Sequence, residues 1–296
     1  MESARKPWNR ALEFLIERAI FFAGIISIFF VILIFVFLLK EGVSLLKTYP
    51  LKDFIFGQKW YPISEPPSFG VVPLLLGSLA VTMGAIVIAV PLGMGAAIYI
   101  AVVAPGWLKE ILKATVEFLA AIPSIVLGFI GLVTLVPLVK QVFHLTTGLT
   151  AISGSIMLAF MAMPTIVSMM EDALTAVPRS YREGAIAMGA TKWQMIWRVL
   201  LPAASSGMLA AIMLGIGRVI GETMAVLMIT GNAARIPTSL FQPVRTMTAT
   251  IAAEMGEAVQ GSDHYFALFA IGIVLFIITF LINLAAGFFI GRAHHK

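Results

Sequence analysis

Arg218 and Glu222 lie four positions apart inside the otherwise apolar run 211–229. A charged side chain at the centre of a bilayer costs roughly 2.5–3.5 kcal/mol on insertion scales. Such residues survive where they face protein or water, and they mark solute paths. On a continuous helix four positions amount to about 40° of rotation, so the two would share a face. The arginine fork of planar donors matches the oxygens of an oxyanion. Glu222 could neutralise Arg218 while the path is empty, or accept the proton of an oxyanion that carries one. The plainer alternative is a structural Arg–Glu pair, although arginine before glutamate is the less favourable order for such a pair. Gly217 and Gly221 form Gly-x-x-x-Gly, continued by Ala225, a spacing of small residues that lets another helix approach closely. That helix belongs either to a second subunit or to this chain.

The elements that must position these groups are membrane helices. Hydrophobic residues make up 60% of the 296, charged residues 12%, and mean hydropathy is +0.99, whereas soluble domains run near ~25% charged. There is no cysteine, which excludes disulfides and thiolate chemistry. The net charge of +5 sits in segments flanking the apolar runs, so nucleic acid is not a partner. About 20 apolar residues span a bilayer as helix, and six stretches qualify: 19–39, 72–103, 115–139, 149–170, 203–230 and 267–290. The first is too long for a signal-peptide core and is read as a retained helix. The fold class is therefore all-α, a polytopic membrane protein with six transmembrane helices.

With the N-terminus cytoplasmic, the inner segments hold twelve Lys and Arg and the outer segments seven. That bias predicts both termini inside. The layout is then a cytoplasmic segment 1–18, a first helix 19–39, an external loop 40–71, a core of five helices over 72–290 and a tail 291–296. Within the core lie an inner loop 171–202 and an outer loop 231–264. Pro73, Pro91, Pro123, Pro137 and Pro164 fall inside the spans, where proline removes a donor and kinks a helix. A kink at Pro123 would expose the Ser124 hydroxyl at membrane depth.

The loop 171–202 has structure of its own. Ser180 with Glu183 is a capping-box pattern, Gly189 suits a helix C-terminus, and a second helix runs from Thr191 to Pro202. Glu183-Gly184-Ala185, three residues, Gly189, nine residues, Val199, one residue and Leu201-Pro202 resemble the EAA loop of ABC importer permeases. Gly184 replaces the first alanine of that pattern and Val199 its isoleucine. The resemblance implies that Arg182, Glu183, Gly184, Ala185 and Gly189 couple the chain to a cytoplasmic ATPase.

The resemblance extends over most of the chain. Segment 120–126, segment 214–226 and Gly231-Asn232 look like phosphate-specific ABC permeases, and Met224-Ala225 after Gly221-Glu222-Thr223 looks like the PstC type. It implies a type I ABC importer permease fold. It also implies four partners: inorganic phosphate, a second permease of the PstA type, a PstB-type ATPase dimer that binds the ATP and Mg, and an external PstS-type phosphate-binding protein. Arg218 and Glu222 match the family's residues of phosphate translocation. A proton on phosphate, which fully ionised sulfate lacks, is what Glu222 would accept. Permeation of sulfate, molybdate or phosphonate, or a secondary transporter or anion channel, remain alternatives.

Ser78, Thr82, Ser124, Thr165, Ser168, Thr223 and Asn283 are further polar groups at membrane depth. Hydroxyls there ordinarily bond their own backbone; Thr223 and Ser124 stand out as path candidates. Glu254, Glu257, Asp263 and His264 cluster before the last span and read as a solvated loop rather than a metal site. No Gly-Lys dipeptide occurs, so the chain has no Walker A loop and no ATP site of its own. It carries no cofactor and reads as a transport subunit, not an enzyme.

Overall fold

The computed structural model describes residues 7–293. Arg5, Lys6 and the His294-His295-Lys296 tail lie outside them, and the side chains of Arg10 and Arg292 are likewise not described. Among the described residues the elements are helical apart from one short hairpin, β1 Trp60–Tyr61 and β2 Ser68–Phe69, paired antiparallel with Trp60 opposite Phe69. Among the described residues five helices are long and apolar enough to cross a membrane, and a bent pair makes a sixth.

Helix α1, Pro7–Ser44, contains the predicted first span and runs well beyond it. Its residues 13–34 are all exposed, as a lipid- or partner-facing surface would be. Only its C-terminal part packs in the chain, against α14, Asp263–Ala293, through Phe35 on Phe276 and Phe37 on Phe269. A short α2, Leu51–Phe56, and the hairpin follow, then α3, Val72–Ile98. The centre of the bundle is α7, Ala151–Thr175, packed between α3 and α11, Ser205–Gly221. Small residues make this contact close: a Cβ on Gly84 would sit 2.3 Å from Ser155 Oγ. The Ser155 hydroxyl in turn donates to Val81 O across the pair at 3.1 Å, and such interhelical bonds average ~0.6 kcal/mol.

Two predicted spans are corrected. The span 115–139 is two helices, α4 Gly106–Ala121 and α5 Ser124–Ile130, the latter continuing through a wide turn into α6 Val136–Val142. Proline forces its predecessor out of the helical region, and Ile122 is extended, with ψ 128°. Pro123 therefore breaks the chain rather than kinking it, and the crossing segment is Ser124–Val142.

The span 203–230 is also not continuous. It is entered through α9 Lys192–Met195, a wide turn Ile196–Leu200 and α10 Leu201–Ala203, then bends by 73° into α11. It stops at Gly221 and restarts as α12, Met224–Ile229.

The other prolines are absorbed. Pro91 and Pro164 stay inside unbroken helices, and Pro73 occupies a first turn. Three π-turns, Tyr99–Val103, Gly131–Leu135 and Ile196–Leu200, each end two residues before a proline. At Pro137 and Pro202, where the chain continues as helix, widening relieves the clash between the ring and the carbonyl four residues back; before Pro105 the helix has ended at the extended Ala104.

A second core lies under the hairpin, where Leu45, Phe54, Trp60, Phe69, Leu74 and Leu268 are buried together. Burying each such side chain contributes about 1.5–3 kcal/mol. Helix α13, Met247–Glu254, packs against α14 and closes this end. Its Glu254 accepts from Trp60 Nε1 at 3.0 Å, pairs with Arg245 and meets His264 Nε2 at 2.9 Å. The cluster expected to be a solvated loop is thus, at Glu254 and His264, a half-buried junction of three segments. Among the described residues no group of side chains could hold a metal ion.

Candidate functional site

Arg218 stands in the last turn of α11 and is exposed. Its Nη1 donates to Thr165 Oγ1 of α7 at 3.2 Å, and no carboxylate lies within ion-pair distance of it among the described residues. The Arg218–Glu222 pair that a continuous helix would allow is not formed. The helix ends at Gly221, and Glu222 is extended, with φ −69° and ψ 131°. Glycine is a weak helix former, and here the following side chain supplies an alternative. Glu222 Oε1 accepts from the amides of Thr223 at 3.2 Å and Ala225 at 3.3 Å. It thereby satisfies amides at the start of α12, which no helix turn precedes. The Glu222 carbonyl accepts from Thr248 Oγ1 of α13 at 2.8 Å.

Thr223 donates its hydroxyl to Gly221 O at 3.2 Å, so it bonds its own backbone. Ser124 opens α5, is half-buried, and makes no hydrogen bond among the described residues. Gly128 faces Ala225, and Gly131 faces Ile229. Helices α5 and α12 therefore run in the same direction. One turn before Gly128 stands Ser124, at the level of the break at 221–223. Glu222 and Thr223 thus form the break in one interrupted helix, with Ser124 at the start of the neighbouring α5 and Arg218 a turn away along α11.

Gly217 and Gly221 meet nothing: a Cβ on either would find no atom within 4 Å. Among the described residues nothing packs on this Gly-x-x-x-Gly face, and the face is open.

At the far end of α11 the loop of the sequence pattern forms α8, Arg179–Ala187, then α9. The predicted capping box at Ser180 and Glu183 is absent, because α8 starts one residue earlier, after Pro178. A capping box does form at Thr191, whose amide donates to Gln194 Oε1 at 2.9 Å while its hydroxyl accepts from Gln194 N at 3.3 Å. Gly189 has φ +77°, its amide donates to Ile186 O, and Ala190 N donates to Ala185 O. That double bond is a Schellman corner, which needs a left-handed residue.

Arg182 does not point outward. Its Nη2 donates to Leu174 O at 3.0 Å and ties α8 to the end of α7. Glu183 and Gly184 are exposed, Ala185 is half-buried, and nothing lies within 4 Å of a Cβ on Gly184. Tyr181, Gly184, Met188 and Arg198 line an open concavity of about 640 Å³. Met188 is 88% exposed, and Trp193 of α9 is exposed as well.

One cluster escaped the sequence reading. Glu171, buried in α7, receives Lys109 Nζ at 2.7 Å and Lys113 Nζ at 3.0 Å from α4, and Thr175 Oγ1 at 2.8 Å. Lys113 also meets Asp172 at 3.0 Å. Its hydrogen bonds to Glu171 and Asp172 push the Lys113 amine above the ordinary lysine range. The signal was present: lysines four apart on an amphipathic helix present two amines on one face.

The family described as binding-protein-dependent transport system inner membrane component matches residues 89–295. Among curated proteins, a probable ABC transporter permease, YqgH of Bacillus subtilis, is 42% identical over 229 residues, spanning 77% of this chain and 74% of that one. The phosphate transport system permease protein PstC of Mesorhizobium japonicum is 38% identical over 259 residues, spanning 81% and 78%. Among solved structures, a chain of the bacterial alginate ABC transporter superposes with TM-score 0.64 at 15% identity, over 95% of this chain and 96% of that one. A chain of the inward-facing MetNI methionine ABC transporter gives 0.61 at 24% identity, over 78% and 99%.

Proposed function

This chain belongs to the binding-protein-dependent transport system inner membrane components, with the fold of a type I ABC importer permease, and on that footing we propose that it is a permease subunit of an ATP-driven inorganic phosphate importer. The observation that carries the reading is the Arg218 guanidinium, exposed on the last turn of α11 beside α7 and, among the described residues, without a carboxylate partner. A fixed cation with several unused donors is what an oxyanion needs to leave water. The relatives named as phosphate permeases give that oxyanion its identity.

The termini and the 171–202 loop lie on the cytoplasmic side in this reading, as the distribution of Lys and Arg supports. A PstB-type ATPase dimer, holding ATP and Mg, receives α8 through Glu183, Gly184 and Ala185, with the Gly189 corner as a stiff joint and Arg182 anchoring the helix to α7. A PstA-type permease packs on the open Gly217 and Gly221 face and completes the path. A PstS-type protein delivers phosphate to the outer segments. ATP closes the ATPase dimer, α8 moves with it, and α11 turns the site outward. Phosphate then meets Arg218 beside Ser124 and Thr223, while Glu222 holds the broken helix in shape; hydrolysis resets the complex.

ATP-driven uptake of radiolabelled phosphate in proteoliposomes holding the full complex tests this, wild type against Arg218→Gln, with ATP hydrolysis recorded alongside. Uptake is expected to vanish with assembly and hydrolysis retained. Unchanged uptake would remove Arg218 from the path, and preference for sulfate over phosphate would replace the substrate.

A further inference from the structure

Many hydroxyls on the helices of this chain are satisfied by their own backbone. Thr115, Thr134, Ser155, Thr230, Thr250 and Thr279 each donate to the carbonyl four residues back. This is the usual way a helical hydroxyl is satisfied. Thr165 does not. Its oxygen makes one hydrogen bond, accepted from Arg218 Nη1, and its own proton goes to no acceptor among the described residues. Pro164 precedes it and removes the amide that would pair with the Phe160 carbonyl.

A threonine oxygen has two lone pairs and one proton. Arg218 takes one lone pair. The remaining lone pair and the proton are free to turn toward a ligand on the partly open side of α7, since Thr165 is only half-buried and Arg218 is exposed. Around one guanidinium the chain therefore offers a mixed set: cationic donors from Arg218, one neutral donor and one neutral acceptor from Thr165. An oxyanion that itself carries a proton, as monohydrogen phosphate does, can use all three kinds.

We propose that Thr165 is a second phosphate ligand of the path, donating its hydroxyl proton to a phosphate oxygen while its oxygen holds the Arg218 fork in place. The proposal rests on the reading of Arg218 as the path cation. It assigns binding to α7 as well as α11, so the site straddles two helices that the 171–202 loop joins.

Phosphate uptake and ATP hydrolysis are measured on the assembled complex for Thr165→Val, which keeps shape and loses the hydroxyl, Thr165→Ser, which keeps the hydroxyl, and Arg218→Gln. Thr165→Ala replaces the valine variant if valine disturbs assembly. Loss of one hydrogen bond to a charged ligand corresponds to about a tenfold effect or more. Thr165→Val is expected to lower uptake per ATP about tenfold, with Thr165→Ser within about twofold of wild type. Wild-type uptake by Thr165→Val, with Arg218→Gln inactive, overturns the Thr165 assignment and leaves the path reading standing. Equal damage from serine and valine also overturns it, since packing alone would be at work. Normal uptake by Arg218→Gln strikes the path reading separately.

Discussion

Glu222 gives the sharpest test of how the broken helix works, because two of its substitutions separate shape from charge. Its Oε1 takes the amides of Thr223 and Ala225 at 3.2 and 3.3 Å. Removing a side-chain cap of this kind typically costs ~1 kcal/mol, about fivefold in a local equilibrium. Glutamine keeps an oxygen acceptor in the same place, and a neutral bond is about half as strong as a charge-assisted one. Glu222→Gln should therefore lose only ~0.5 kcal/mol, roughly twofold. Hydrogen exchange of the Ala225 amide reads this directly: about fivefold faster in Glu222→Ala and about twofold in Glu222→Gln. Phosphate uptake in proteoliposomes should follow the same order, with the glutamine variant near wild type. If Glu222→Gln abolished uptake while the Ala225 amide stayed protected, the cap would not be the role of this residue. The carboxylate charge would then act on the solute itself, as the acceptor of its proton.

Two other substitutions probe the joints. Gly189 has φ +77° and donates its amide to Ile186 O, and proline can do neither. Gly189→Pro should leave the complex inserted while uptake per ATP hydrolysed falls at least tenfold; unchanged coupling would contradict the stiff corner. Glu171→Gln leaves Lys109 and Lys113 without the carboxylate that holds them. It should destabilise the α4–α7 contact by ~2 kcal/mol, read as a lower melting temperature of the purified complex, and an unchanged value would count the cluster as solvent-screened.

The sequence carried the fold class well because its signals are coarse. Bilayer-length apolar runs at 72–103, 149–170 and 267–290 leave no other structure. The loop 171–202 was legible through an ordered spacing, and Gly189 behaves as that spacing requires. What failed was continuity. Pro123 reads in sequence as a kink, and only the extended Ile122 shows a break. Gly221 and Glu222 do not by themselves announce in sequence that the helix ends there, since the stop also draws on Thr248, 26 residues after Glu222. The shared face of Arg218 and Glu222 depended on an unbroken helix, so that inference fell with it. Thr165 and Arg218 are 53 residues apart and could be joined only in space. The bond from Arg182 to the carbonyl end of α7 was likewise illegible in sequence, since it joins two helices across a turn.

The two interruptions flanking α11 make it a rod hung between joints. Its 17 residues amount to about 25 Å, and Arg218 lies about 20 Å from the end that bends by 73°. A tilt of only about 10° about that end would carry Arg218 some 3–4 Å, about the length of its bond to Thr165. The bond to Thr165 would thus be made at one inclination of the rod and severed at another. On the proposed path reading, that inclination would couple the hold of Arg218 on an anion to the loop at the rod's foot.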